Sequence, residues 1–151
     1  MKKPQSNNIS IRNKKASFEF IFIEDFIAGI VLFGTEIKSI RNGAVSFSDA
    51  YCYIRDNEIF VKNLHISEYK NSSFRQHEPK RDRKLLLTKR EIRKLKEKTQ
   101  EKGLTIVPSK LFINDKGLAK LEIVLAKGKK LFDKRESLKT KEDERKIREE
   151  F

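Results

Sequence analysis

The stretch that decides the fold is TIVPSKLFI-NDKG-LAKLEIVLA, residues 105–126. In its second half Leu121, Ile123 and Leu125 share one face of an extended chain, with Glu122 and Val124 on the other. That period of two is the mark of a half-buried strand. Thr105 to Ile113 and Leu118 to Ala126 therefore read as a hairpin over the turn formers Asn114-Asp115-Lys116-Gly117.

Upstream of it, Thr88 and Glu91 are spaced as a capping box. They open a helix whose apolar stripe is Ile92, Leu95 and Thr99, and Gly103 closes it. Ser48 to Ile54 and Glu58 to Ile66 pair as a second hairpin around Asp56-Asn57. Phe18 to Ile23 and Ile27 to Phe33 are two further strands, with a turn at Glu24-Asp25 and Gly29 at a bulge or close approach. Gly34 to Gly43 reads as a short helix, because Ile37 and Ile40 are three apart and Asn42-Gly43 can close it. Tyr69 to Arg83 reads as a polar loop. Six or so strands joined by short turns predict a mainly β fold. Its expected form is a small antiparallel oligonucleotide-binding-like barrel with two or three flanking helices. A flat α+β sandwich is the alternative.

Composition separates a domain from a tail. The expected division is a β-barrel domain over residues 1–128, with residues 1–10 mobile, and a basic tail over residues 129–151. From Lys129 onward the chain has no Gly or Pro and few apolar residues. Such a segment is expected to be disordered when free and helical when bound. Its Glu142–Lys146 and Glu144–Arg148 spacings support a helix by only about 0.2–0.5 kcal/mol each.

The chain has 38% charged residues and a net charge of +13. That excess points first to nucleic acid and only then to an anionic membrane surface. No signal-like apolar segment follows Met1, so a cytoplasmic location is expected. Cys52 is the sole cysteine and reads as a small buried apolar side chain. His65 and His77 lack companions at ligand spacing, and each reads as a surface or partly buried residue. No nucleophile–base–orienter set is visible, so the expectation is a protein that is not an enzyme and needs no cofactor or metal. The rival from another class is a Mg²⁺-dependent nuclease using Glu24, Asp25, Glu36 or Asp49. A general single-strand-binding barrel is the rival within the same class.

Positive charge gathers in two places besides the tail. From Arg75 to Lys102 there are twelve Lys/Arg against five Asp/Glu. Within that segment Arg81, Arg83 and Lys84 precede Leu85-Leu86-Leu87, which would pin the loop's base and hold the cations outward. Arg12-Asn13-Lys14-Lys15 is the second knot. There Asn13 could read a base edge or a 2′-hydroxyl while the lysines sit on phosphates. Six to ten such contacts would lower affinity by roughly 10³–10⁵ between 50 and 200 mM salt on the DNA scale. Glu36 is the odd acid in this setting, and an ion pair with Lys38 or Arg41 is one account of it.

Several blocks resemble one family in collinear order. They are Asn13-Lys14-Lys15-Ala16, Ala28-Gly29-Ile30, Gly34 through Gly43, Asp49-Ala50-Tyr51, Arg81 through Leu87, Ala126 through Lys130 and Phe132 through Glu136. Together they resemble the SsrA-binding protein family, SmpB. The resemblance implies a barrel that binds the tRNA-like end of transfer-messenger RNA and escorts it to stalled ribosomes. It implies RNA contacts by Asn13, Lys14, Lys15, Glu36, Lys38, Arg41, Arg81, Arg83, Lys84 and Leu86. It further implies that Gly128, Lys129, Lys130, Phe132, Asp133, Lys134 and Arg135 enter the vacant mRNA channel near the small-subunit decoding centre, with Phe132 stacking on a base. Alanyl-tRNA synthetase and elongation factor Tu would be reached indirectly, through the RNA. Ile27 stands where the family usually carries Glu, which puts a polar contact there in doubt.

Overall fold

The 105–126 hairpin forms one wall of a closed barrel. In the computed structural model, residues 9–69, 76–101 and 103–129 are described. The elements run β1 (Ser10–Arg12), α1 (Lys14–Glu19), β2 (Phe20–Ile30), α2 (Gly34–Arg41), β3 (Val45–Ser46) and β4 (Tyr51–Arg55). They continue with β5 (Glu58–Lys62), β6 (His65–Ile66), β7 (Arg83–Leu86), α3 (Lys89–Lys98), β8 (Leu104–Ile113) and β9 (Ala119–Gly128). Strands β8, β4, β5, β7, β2 and β9 pair in that order, and β9 pairs back onto β8. Every pairing is antiparallel. The six-stranded ring leaves no open edge between its first and last members, which excludes the flat sandwich. β1 adds to β8 through Ser10↔Phe112 and Arg12↔Lys110, beyond the point where β4 meets Ile106.

Alternation fills the lumen. Ala28, Ile59, Val61, Leu85, Leu111, Leu121, Ile123 and Leu125 are all buried in one cluster, together with Ile40 of α2 and Leu95 of α3. Val124 and Ala126 face outward on β9, and Ala16 of α1 covers them with Val107 and Phe20. The capping box of α3 forms as expected: Thr88 Oγ1 accepts from Glu91 N (3.2 Å) and Glu91 Oε1 accepts from Thr88 N (3.0 Å). Asp56 and Asn57 carry φ of 51° and 61°, the left-handed pair that a two-residue hairpin turn demands. Gly43 closes α2 at φ 72°.

Five expectations are corrected. Glu24-Asp25 is not a turn, because β2 runs straight through it with Glu24↔Leu125 and Asp25↔Val124 as pairs. A bulge between Phe22 and Glu24 shifts the alternation by one. Phe26, Ala28 and Ile30 then point inward while Ile21, Phe22 and Ile23 stay exposed. Phe18 belongs to α1, and Ser10, expected to be mobile, lies in β1. The strand expected over Glu58 to Ile66 breaks at Asn63 (φ 65°), and its end, β6, leaves the barrel to pair with β3. The end of the polar loop is a strand: β7 alternates buried Arg83 and Leu85 with half-buried Lys84 and exposed Leu86. The tail expected from Lys129 lies outside the described residues from Lys130 onward. Among the described residues, no helix is long and apolar enough to cross a membrane.

Candidate nucleic-acid interface

Glu36 sits in the first turn of α2 and is fully buried. Its Oε1 accepts from Phe33 N (2.8 Å), which caps the helix. Arg81 donates to both carboxylate oxygens through Nε (3.2 and 3.1 Å) and through Nη2 to Oε1 (2.6 Å). Arg83 Nε donates to Oε2 from the other side. Arg83 is itself buried, and its remaining donors reach the carbonyls of Leu64 (2.6 Å), Arg81 (3.2 Å) and Pro79 (3.0 Å). One acid thus ties α2, the segment before β7 and β7 together. Burial works to raise the Glu36 pKa. The Arg81 hydrogen bond, the Phe33 amide and the Arg83 charge outweigh it, and the carboxyl is held below its ordinary value.

The ion pair expected for Glu36 is present with different partners. Lys38 and Arg41 are exposed on α2, and Lys38 Nζ lies 5.4 Å from the Tyr69 ring centre. The expectation that Arg83 points outward is overturned: it occupies an inward position of β7, with Glu36 as its counter-charge. Arg81 is mostly covered, its guanidinium 4.2 Å above the Phe33 ring. Phe33 is 57% exposed, and the sequence reading missed it as a surface feature. The signal lay in the order Leu-Phe-Gly, an aromatic placed just outside a helix start. Lys84 is half-exposed and pairs with Glu58 (3.1 Å). Leu86 is exposed beside Gly29, where a Cβ would come within 3.3 Å of Leu86 Cβ. That is the close approach expected of this glycine.

A second group stands on α1. Asn13 is buried and does not face solvent: its Oδ1 accepts from Ala16 N (3.2 Å) as the helix cap, and its Nδ2 donates to the Pro108 carbonyl (2.8 Å). β8 bulges between Pro108 and Lys110, a place suited to a residue that has no N–H to give the ladder. Asn13 therefore fixes α1 to the barrel and presents Lys14 and Lys15, both exposed. Lys15 Nζ pairs with Asp49 (2.8 Å), which holds the Asp49 carboxyl below its ordinary value through the hydrogen bond first and the charge second. Gly128 and Lys129 end the described chain, and Lys129 N donates to the Glu19 carbonyl (2.9 Å). Lys130, Phe132, Asp133, Lys134 and Arg135 lie outside the described residues.

His77 is buried, contrary to expectation, with Nε2 donating to the Ile66 carbonyl (2.8 Å) and Nδ1 bonded to Thr35 Oγ1 (2.9 Å). Cys52 is buried as expected, and burial pushes its thiol pKa up. The acids of the nuclease alternative are dispersed: Glu24 pairs with Lys94, Glu36 with Arg81 and Arg83, and Asp49 with Lys15. Among the described residues no three His, Cys, Asp or Glu side chains gather as a metal site.

The family described as SmpB protein matches residues 10–151. The chain belongs to the SmpB protein family. An SsrA-binding protein of Phocaeicola vulgatus is 58% identical over 139 residues, covering 92% of this chain and 93% of its own. One from Parabacteroides distasonis is 49% identical over 151 residues, covering 100% and 99%. A solved chain described under "tmRNA-SmpB: a journey to the center of the bacterial ribosome" superposes with a TM-score of 0.71 at 41% identity. It covers 82% of this chain and 86% of that one.

Proposed function

We propose that this chain is an RNA-binding adaptor. It binds the tRNA-like domain of transfer-messenger RNA and delivers it to stalled ribosomes for trans-translation. The observation that carries this reading is the match, over most of both chains, to a solved SmpB chain described with transfer-messenger RNA in the bacterial ribosome. On this proposal the residues divide the labour. Lys14, Lys15, Lys38, Arg41, Lys84 and Leu86 are wholly or partly accessible and supply the contacts, cations to phosphates and Leu86 to an apolar patch of base or sugar. Asn13, Glu36 and Arg83 are buried and act as positioning residues, with Arg81 joining them while covering Phe33. Gly128 to Arg135 are the segment for the vacant mRNA channel, where Phe132, set between cations in the sequence, suits stacking on a base. The role needs no catalytic group.

Filter binding of the tRNA-like fragment against a plain duplex of equal length tests the reading. Preferential binding of the fragment, weakening steeply with salt, is expected. Equal affinity for the two RNAs would overturn it.

A further inference from the structure

α3 carries a cluster of charge that this division of labour does not use. Lys89, Arg93 and Lys96 are exposed and spaced four and three residues apart, so they share one face of the helix. With Ile92 as its floor and Asn57 of the β4–β5 turn as its far wall, this face lines a cleft of about 430 Å³. Among the described residues no carboxylate lines it. Lys96 Nζ donates to Asn57 Oδ1 (3.3 Å), while among the described residues the side chains of Lys89 and Arg93 have no hydrogen bond or ion pair. The nearby acid Glu91 is held by Thr88, and Glu24 is taken by Lys94. Helix stability does not account for Lys89 either, since a cation in the first turn opposes the helix dipole. Three cations in a concavity repel one another, and no described residue lining the cleft neutralises them.

We propose that the cleft between α3 and the β4–β5 turn is a second site for an RNA phosphodiester backbone. It lies at the other end of the barrel from the Glu36 cluster. β7 begins at Arg83 of that cluster, whereas α3, with Lys89 as its first residue, follows the strand's far end at Leu86. Lys89 to Lys96 spans about 10 Å along the helix. That length covers about three nucleotide steps of one strand on the DNA scale of 3.4 Å of helix axis per step. Cations and one amide bind backbone and read no sequence.

The inference rests on the RNA-binding reading, and the experiment separates the two. Full-length wild type and the Lys89→Ala/Arg93→Ala/Lys96→Ala variant are titrated with the tRNA-like fragment and, separately, with vacant ribosomes across a salt series. The expected result is a slope of log K against log salt shallower by about 2 for one of the two RNAs, from roughly 0.7–0.9 per lost contact, with an unchanged melting temperature. Arg93→Glu alone, on an exposed side chain, should weaken the same RNA and guards against misfolding of the triple variant. Unchanged slopes and affinities on both RNAs would overturn the cleft alone. A wild type that bound neither would overturn the RNA-binding reading, and the cleft with it.

Discussion

Glu36 is where sequence and structure part most sharply at the level of single residues. An acid amid cations was conspicuous in the sequence, but its partners were not, because Arg81 and Arg83 are 45 and 47 residues away. They reach it only because β7 turns Arg83 inward, a position that alternation would give to an apolar residue. Removing one member of a buried, hydrogen-bonded ion cluster leaves charge stranded, so Glu36→Ala should cost about 3–5 kcal/mol by urea unfolding. The pH dependence follows from the lowered Glu36 pKa. The carboxylate contributes its full stability above its ordinary value of 4.5 and loses it as pH falls through the folded value. Urea midpoints between about pH 3 and pH 6 should therefore fall more steeply in the wild type than in Glu36→Gln. Parallel curves would show that Glu36 contributes nothing to acid unfolding.

At the scale of elements, what was legible in the chain was local chemistry. The 105–126 hairpin, the α3 capping box, the Gly43 cap and the Asp56-Asn57 turn each depend on residues a few positions apart. The continuous β2, the strand β7 and the packing of α1 on Val107 and Val124 depend on distant partners, and no short window shows them. The bulge after Phe22 is the clearest case: pairing with β9 overrides the turn preference of Glu24-Asp25. The turn at Asn57 offers a test, since its φ of 61° disfavours any residue with an ordinary side chain. Asn57→Ala should lower stability by about 1–2 kcal/mol, while Asn57→Gly should hold it within about 0.5 kcal/mol. Thermal unfolding followed by circular dichroism measures both, and equal melting temperatures would remove the turn as a determinant of the hairpin.

Charge is divided unevenly over the whole molecule. Residues 130–151 hold eight Lys/Arg against seven Asp/Glu, a net of +1, so residues 1–129 carry +12 of the total +13. The long-range attraction for a polyanion therefore belongs to the barrel, even though the first part of the tail looked strongly basic. The barrel's last described bond, Lys129 N to the Glu19 carbonyl, sets a natural place to cut. A chain ending at Lys129 keeps both basic faces and the entire ring of strands. Its affinity for the tRNA-like fragment should stay within about two-fold of full length, with a salt slope lower by less than about 1, because few phosphate contacts are removed. Tagging on stalled ribosomes should be abolished, since all but Gly128 and Lys129 of the segment proposed to enter the mRNA channel is gone. Within the full chain, Phe132→Tyr should retain more tagging than Phe132→Ala, as a ring of either kind can stack. Equal loss of RNA binding and tagging on truncation would place the tail in the RNA clamp itself. The even balance of charge beyond Lys129 argues against that outcome, because a segment of net +1 adds little to a grip that the barrel already supplies.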